Sequence, residues 1–447
     1  MNKLESPLIS RAAGRQYSDH AIHFMIFGGI AAGMMAIALI PSTRLSVEFI
    51  GRHSWASLIE RPGILWVTMG LLLLVVRTLL WLRYRPHAAA HEIEAPALTV
   101  VIPAYNEGEL VKRSILSAAT ARYPHDRLEI IVIDDGSRDD TWVHIEAAAA
   151  EHPGLVRTVR FARNQGKRAA LAAGFERASG EIVVTLDSDS ILDPAALLAI
   201  AGPFRDPRVG AVGGKVLALN RYESLLPRML HVRYMLSFDF LRSAQSTYGT
   251  VYCCPGALSA YRLSLVRKVL PSWLGQRFLG AGCNTGEDRA LTNDILALGY
   301  RTLYQRSAVV NTLVPDRYGK LCRMYLRWNR SYVREELRLL VSVCWRLPPR
   351  ALLITLADKL ITNLRFPVAS LAMFLLVEMS IEDPWTIIRF LAAIGLSSLF
   401  YMLYYLKSER SWEFIFGILY AYYSALALFW VFPYALLTLR NRSWMTR

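Results

Sequence analysis

The sequence predicts an α/β domain combined with an α-helical transmembrane bundle, and three observations lead there. The chain has 447 residues, 53% of them hydrophobic and 19% charged, with a mean hydropathy of +0.27, too apolar for an ordinary soluble protein. The apolar excess is concentrated toward the two ends. Between them, short β-branched runs alternate with helix-like stretches, the pattern of a mostly parallel, doubly wound sheet.

Four segments follow from this reading: 1–95 with two transmembrane helices, 96–315 as the α/β domain, 316–350 as amphipathic interfacial helices, and 351–447 as the C-terminal transmembrane helices. Residues 21–41 and 63–82 are apolar runs of about the 20 residues that a helix needs to cross a bilayer. Lys3, Arg11 and Arg15 precede the first run, which lacks a small-residue cleavage site. It is expected as a retained anchor rather than a removed signal peptide. Two spans after a basic N-terminus return the α/β domain to the cytosol, and Arg83 and Arg85 fit that exit.

Within the domain the expected strands are 98–102, 129–133, 156–161, 181–186 and 209–212. Ligands in such sheets bind beyond the C-terminal ends of the strands. After Pro315, the basic and aromatic stretch 318–345 is expected to lie on a membrane surface. Apolar runs at 366–377, 385–406 and 412–437 give three further spans. Arg440, Arg442 and Arg447 favour an inside C-terminus, which a fourth span beginning near Ala351 would reconcile. Arg77 in the second run either faces an acidic chain or reaches toward the cytosolic face where Arg83 lies.

The net charge of +15 raises nucleic acid as a partner, but the basic residues are scattered and form no recognised nucleic-acid motif. Arg323, Arg327, Arg330, Arg334, Arg338 and Arg346 are instead dense near membrane-flanking sequence, as positive-inside placement and anionic lipid require. Membrane lipid is therefore the expected partner, with no nucleic acid and no obligatory protein partner. The five cysteines (Cys253, Cys254, Cys283, Cys322 and Cys344) have no zinc-type spacing and an odd count, so reduced thiols are expected.

Four polar motifs follow strands in order. Pro103-Ala104-Tyr105-Asn106-Glu107 follows the first and Asp134-Asp135-Gly136-Ser137 the second; Asn164-Gln165-Gly166-Lys167-Arg168 and Asp187-Ser188-Asp189 come next. Two carboxylates one residue apart in a turn can share a divalent cation. A Tyr can pack on a base, a carboxylate can accept from a base N–H, and a Lys can neutralise a diphosphate. Any one of these is equally a solvated turn, for which Asp and Gly are the expected residues. Four in sequence are not. Later come Gly286-Glu287-Asp288-Arg289, ahead of a helix-like stretch, and Arg327-Trp328; taken singly these read as acidic helix capping and as an interfacial Trp beside a snorkelling Arg.

Together these motifs resemble the GT-A fold of family 2 glycosyltransferases over about 96–304. The resemblance implies that Pro103, Tyr105, Asn106, Glu107, Asp134 and Asp135 hold a nucleoside and that Lys167, Asp187 and Arg327 serve the diphosphate. It places Mg2+ or Mn2+ on Asp187 and Asp189, and the catalytic base at Asp288, flanked by Glu287 and Arg289. A single displacement from an α-linked UDP-sugar then gives a β-linkage. Processive members carry Q-x-x-R-W, and here Met324 stands where Gln is expected.

The run Arg327-Trp328-Asn329-Arg330-Ser331-Tyr332-Val333-Arg334-Glu335 is similar to hyaluronan synthases, as are Cys283 five residues before Asp288 and the segment from Cys254 through Gly256 to Arg262. Nodulation-type chitooligosaccharide synthases and chitin synthases share much of this pattern. The likeness implies that Trp328, Cys283, Cys254 and Gly256 lie on the acceptor side. It implies processive growth of a polysaccharide from UDP-N-acetylglucosamine, joined by UDP-glucuronic acid if the product is hyaluronan, and secretion through the enzyme's own helices at the plasma membrane. Three alternatives stand beside it: a chitin-like synthase, a non-processive transferase to a lipid acceptor, and a transporter regulated by nucleotide-sugar.

Overall fold

The computed structural model describes residues 62–441 apart from 383; the predicted span at 21–41 lies outside them. The described residues form two compact units, one of Met69–Phe366 with 427–441 and the other of 62–68 with Pro367–Leu426.

The first unit is built on an eight-stranded sheet of order β3-β2-β1-β4-β7-β6-β10-β5. Its strands are β1 (Leu98–Ala104), β2 (Leu128–Asp134), β3 (Val156–Arg160), β4 (Ile182–Leu186), β5 (Ser190–Leu192), β6 (Val209–Ala218), β7 (Leu258–Arg262) and β10 (Arg301–Thr312). A small hairpin pairs β8 (Arg277–Phe278) with β9 (Ala281–Gly282). β1 pairs in parallel with β2 and β4, and β2 with β3. Every residue of β1 and β4 is buried. Strands covered on both faces read as continuous apolar runs, which is why they were visible in the sequence.

The expectation of a mostly parallel, doubly wound sheet needs correcting on its far side. β7 enters between β4 and β6 antiparallel to both, and β5 runs antiparallel to β10, so the sheet is mixed. β7 is Leu-Ser-Ala-Tyr-Arg, with no β-branched residue to signal a strand. The insertion brings the loop before β7 alongside the carboxyl end of β4.

Helices cover both faces: α1 (Pro62–Arg83), α2 (Leu110–Ala119), α3 (Thr141–Glu151), α4 (Lys167–Arg177), α5 (Ala196–Ala201), α6 (Leu225–Tyr234), α7 (Arg242–Ser246), α8 (Leu263–Leu274) and α9 (Glu287–Ala297). A π-helical stretch, Met235–Leu241, joins α6 to α7. The main core packs Phe175 of α4 and Trp273 of α8 against Val101, Ile131 and Ile133 of the sheet.

Next comes α10 (Tyr318–Arg338), whose buried positions include Cys322, Leu326, Arg330 and Arg334. That four-residue spacing is one helical face. Arg330, Arg334 and Arg338 on it are bonded to protein groups, while Arg323 is exposed. Arg330 donates to Thr438 Oγ1, at 2.9 Å through Nη2, Arg338 pairs with Asp294, and Arg346 reaches the Ala297 carbonyl.

The remaining helices are α11 (Pro349–Glu382), α12 (Trp385–Glu409), α13 (Phe414–Ala427) and α14 (Val431–Leu437). Residues 351–365 and 366–377 are thus parts of one 34-residue helix rather than two separate spans. Among the described residues, Pro349–Ile381 is long and apolar enough to cross a bilayer, and α13 with α14 qualifies only as a broken pair. Arg77 has a role that neither sequence reading foresaw: Nε donates to Asp358 Oδ1 at 2.8 Å and Nη2 to Thr362 Oγ1 at 2.7 Å, fastening α1 to the first half of α11. In the second unit, the Tyr422 hydroxyl donates to the Leu391 carbonyl at 3.0 Å, joining α13 to α12.

Candidate active site

The loops beyond β1, β2 and β4 converge at one edge of the sheet. Pro103 lies within β1, opposite Ile133 of β2. The chain then turns through Tyr105 and Asn106, the latter at φ +53°, a left-handed conformation that Asn tolerates better than most residues. The turn is tied to the next loop: Asn106 N–H donates to Ser137 Oγ at 3.0 Å, and Arg138 N–H donates back to Asn106 Oδ1 at 2.9 Å. Glu107 N–H donates to Thr141 Oγ1 at 2.8 Å.

Asp134 is fully buried; its Oδ1 accepts from Ser137 N–H at 3.0 Å and Arg160 lies 3.1 Å from its Oδ2. Asp135 accepts from Gln165 N–H at 2.7 Å, Gly166 N–H at 2.8 Å and Asn164 Nδ2 at 3.0 Å. Burial pushes its carboxyl up, against those amide donors. Both aspartates therefore hold loops together, and Asp135 sets the turn from which α4 and Lys167 emerge.

Lys167 is the centre of the site. Its ammonium lies 2.5 Å from Asp187 Oδ1 and 3.0 Å from Glu287 Oε1. Burial alone would lower its pKa, but the two carboxylates raise it, so it stays charged. Gly256, in the loop before β7, is required here by close approach: a Cβ would sit 2.9 Å from Lys167 Nζ and 3.4 Å from Asp187 Oδ1. Lys167, Gly256, Glu287 and Asp288 line one cavity, floored by Phe175, Tyr261 and Trp273. Acids of two separate loops, Asp187 and Glu287, thus meet on one lysine.

Glu287 and Asp288 open α9, and their environments drive them apart. For Glu287 burial is opposed by Lys167, which holds the carboxyl below the usual range. Asp288 is raised, by burial and then by its anionic neighbour Glu287. Oppositely perturbed neighbouring carboxyls mark acid–base chemistry. Arg289 N–H donates to Asp288 Oδ1 at 2.7 Å, while the Arg289 guanidinium turns over the Tyr332 ring at 5.2 Å.

Asp189 is buried, with Oδ1 accepting from Thr312 Oγ1 at 3.1 Å and Ser190 Oγ at 3.2 Å. Among the described residues no group of three His, Cys, Asp or Glu side chains converges as a metal cage. Mg2+ and Mn2+ at phosphate sites use one or two carboxylates, with substrate oxygens and waters completing the shell. The donor set is all oxygen, and an ammonium already rests on Asp187. The residues fit a cation shared with a diphosphate.

Of the residues expected to serve an acceptor, Trp328 is 37% exposed, with the Tyr325 and Tyr234 rings 5.7 and 6.1 Å from its own. Met324, where Gln was expected, accepts from the Tyr234 hydroxyl through its sulfur at 3.6 Å. Arg327 is half-buried on α10. Cys283 is buried, its N–H donating to the Gln276 carbonyl at 3.0 Å. Cys254 lies sealed in the core, with its N–H on Thr292 Oγ1. The thiol that faces the site is its neighbour Cys253, which donates to Asp288 Oδ2 at 3.5 Å and is pushed up to about 11 by burial. Sequence reasoning passed over Cys253, although adjacency to Cys254 could have suggested it. It also missed Trp273, whose indole N–H donates to the Glu287 carbonyl at 3.0 Å; nothing local in the sequence marks that contact.

The family model for glycosyl transferase family 2 matches residues 99–270. An N-acetylglucosaminyltransferase of Azorhizobium caulinodans is 31% identical over 352 residues, 79% of this chain and 87% of that protein. One from Neorhizobium galegae is 30% identical over 411 residues, covering 88% and 91%. Hyaluronan synthase 3 of Mus musculus is 31% identical over 324 residues, covering 62% and 58%. Among solved structures, a mannosyltransferase of Pyrobaculum calidifontis in complex with GDP-Man and Mn2+ superposes with a TM-score of 0.59 at 22% identity, covering 82% of this chain and 99% of that one, a likeness of fold. With Asp187 after β4 and Glu287 at the start of α9 meeting on Lys167, and with these relatives, the chain belongs to glycosyl transferase family 2.

Proposed function

We propose that this enzyme is a membrane-integrated, inverting, processive synthase. It polymerises UDP-sugars into a β-linked polysaccharide containing N-acetylglucosamine and passes the product through its own helices at the plasma membrane, with its catalytic domain in the cytosol. The observation that carries the reading is Lys167 lodged between Asp187 and Glu287, with Asp288 on the same cavity wall.

In this reading an acceptor hydroxyl attacks the anomeric carbon of the donor. Its proton passes to Asp288, and the bond to UDP breaks with inversion. Asp288, raised by burial and by Glu287, is a stronger base than an ordinary carboxylate. Lys167 keeps Glu287 anionic and presents positive charge where the diphosphate departs. The loops of Tyr105 and Asp135 offer the nucleoside subsite, and Arg327 the outer diphosphate. Asp187 and Asp189 would hold Mg2+ or Mn2+, which supplies charge neutralisation for the leaving nucleotide. The exposed Trp328 indole, Gly256, Cys283 and the Cys254 loop form the acceptor side.

N-acetylglucosaminyltransferases that align over most of their own length favour UDP-N-acetylglucosamine as donor. A second reading, hyaluronan, is favoured by the likeness to a hyaluronan synthase and requires UDP-glucuronic acid as well. Purified enzyme in lipid, given each UDP-sugar alone and in pairs with Mn2+ or Mg2+, is expected to release UDP and build polymer, and a chelator is expected to stop it. Release with UDP-N-acetylglucosamine alone selects the chitin-like product; strict dependence on both donors selects hyaluronan. No UDP release in any combination would refute the proposal and leave a nucleotide-sugar-regulated transporter. Single-sugar products on a lipid would refute processivity.

A further inference from the structure

The fully buried carboxylate of Glu335 does not line the cavity, yet three sets of contacts lead from it to the turn that carries Asp288. Its side chain has 0% exposure, a costly place for a charge unless it is fully bonded. The bonds are there: Gln276 Nε2 donates to Oε1 at 2.6 Å, and Asn293 Nδ2 to Oε2 at 3.1 Å. The Arg334 and Arg338 guanidinium groups lie at 3.3 and 3.6 Å.

Each partner passes the constraint onward. Arg334 also donates to the carbonyl of Thr285, the residue before Gly286. Asn293 belongs to α9 itself and also donates to the Glu335 carbonyl at 3.0 Å. Gln276 accepts from Arg168 Nη1 at 3.0 Å through Oε1, and the same Arg168 nitrogen donates to the Trp273 carbonyl at 2.7 Å. Trp273 in turn holds the Glu287 carbonyl.

The turn so held has no slack. Gly286 sits at φ +74°, and a Cβ there would lie 2.4 Å from Ser331 Cβ on α10. The α10 face bearing Ser331, Arg334 and Glu335 therefore forms the bed on which the Gly286-Glu287-Asp288 turn rests.

We infer that Glu335 is a positioning residue for the transfer reaction: its carboxylate, through Arg334, Gln276 and Asn293, fixes the start of α9 and so the place of the Asp288 carboxylate in the cavity. It touches no substrate. The inference rests on the reading of Asp288 as base, and it separates from that reading in the test.

The variant to make is Glu335→Gln, which keeps the shape and removes the charge that organises the two arginines. Gln276→Leu severs one route alone, and Asp288→Asn is the reference. UDP release and UDP binding are measured for each in the full-length enzyme in lipid. Misplacement of a reacting group by about 1 Å costs on the order of 100-fold, so a fall in kcat of about tenfold or more is expected for Glu335→Gln. The donor KM and UDP affinity should stay within about twofold, because the nucleotide loops belong to other strands. Gln276→Leu should lower kcat less, and the double variant should be no slower than Glu335→Gln, the non-additivity of residues acting in one network.

A kcat within about twofold of the parent, beside an inactive Asp288→Asn, would overturn the inference and leave the base reading standing. So would multiplying losses in the double variant, or a loss of UDP affinity equal to the loss of rate, each of which marks general destabilisation. If Glu335→Gln does not fold, Gln276→Leu decides, with unchanged kcat against the inference. An active Asp288→Asn would instead overturn the base reading, and this one with it.

Discussion

On the rim proposed for the nucleotide, Asp134 and Asp135 spend their oxygens on amide donors a few residues away or in the next loop, such as Ser137 N–H and Gln165 N–H. On the base rim, Glu287 and Asp288 answer to side chains brought from distant segments: Lys167, Cys253, and the α10 bed beneath Gly286. The first rim is a set of turns, each stable for its own reasons. The second exists only when α4, α8, α9 and α10 are all in place. In the proposed mechanism, turn geometry sets where the nucleotide lies, and tertiary packing sets the charge state of the carboxyl that takes the proton.

Lys167 belongs to both rims, so removing it should do the most damage. Lys167→Met leaves Glu287 buried without its cation, an arrangement that typically costs about 3–5 kcal/mol. We expect UDP release to fall by about 100-fold or more, with lower thermal stability; a variant with parental turnover would show that the two rims do not depend on a common charge.

Gly286→Val tests the base rim alone. The left-handed backbone and the contact with Ser331 should together cost about 2–3 kcal/mol. Turnover should drop while UDP affinity, measured by calorimetry, stays near parental. Equal losses in both would mean the rims are not separable.

The pH profile is the next effect in size. Asp288 must be ionised to accept a proton, and its pKa is raised. The sign is therefore loss of kcat as pH falls through a value above the ordinary carboxylate range, with activity retained above it. An acid limb at the ordinary carboxylate value would place the working base on a solvated group.

Trp328→Ala should have the smallest effect on bond formation and a visible one on the product. Loss of an exposed indole that can stack on a sugar is worth about 1–2 kcal/mol, so shorter chains are expected at nearly parental UDP release, read by gel or mass analysis. Unchanged product length would remove Trp328 from the acceptor path.

The same contrast decides what the sequence could reveal. The strands β1, β2 and β4 and the turns after them were legible because buried parallel strands and Asp-Gly turns carry local signals. β7 was not, since Leu258-Ser259-Ala260-Tyr261-Arg262 has no strand-favouring run. Asp288, Glu287 and Lys167 were singled out through the motifs around them, but the contacts of Cys253, Trp273 and Gln276 were not foreseen, because they are remote in sequence. Arg334 reaches Thr285 across 49 positions and Glu335 reaches Gln276 across 59. The arginines of α10 make a related case: composition suggested lipid, and the fold shows that Arg330, Arg334 and Arg338 are also bound to protein groups.

The most direct test of the two-rim cleft is the turnover of Asp288→Asn, with UDP binding checked on the same preparation. The account predicts intact nucleotide binding and a rate lowered by about 10²–10⁴-fold. Parental turnover in a variant that binds UDP normally would contradict it.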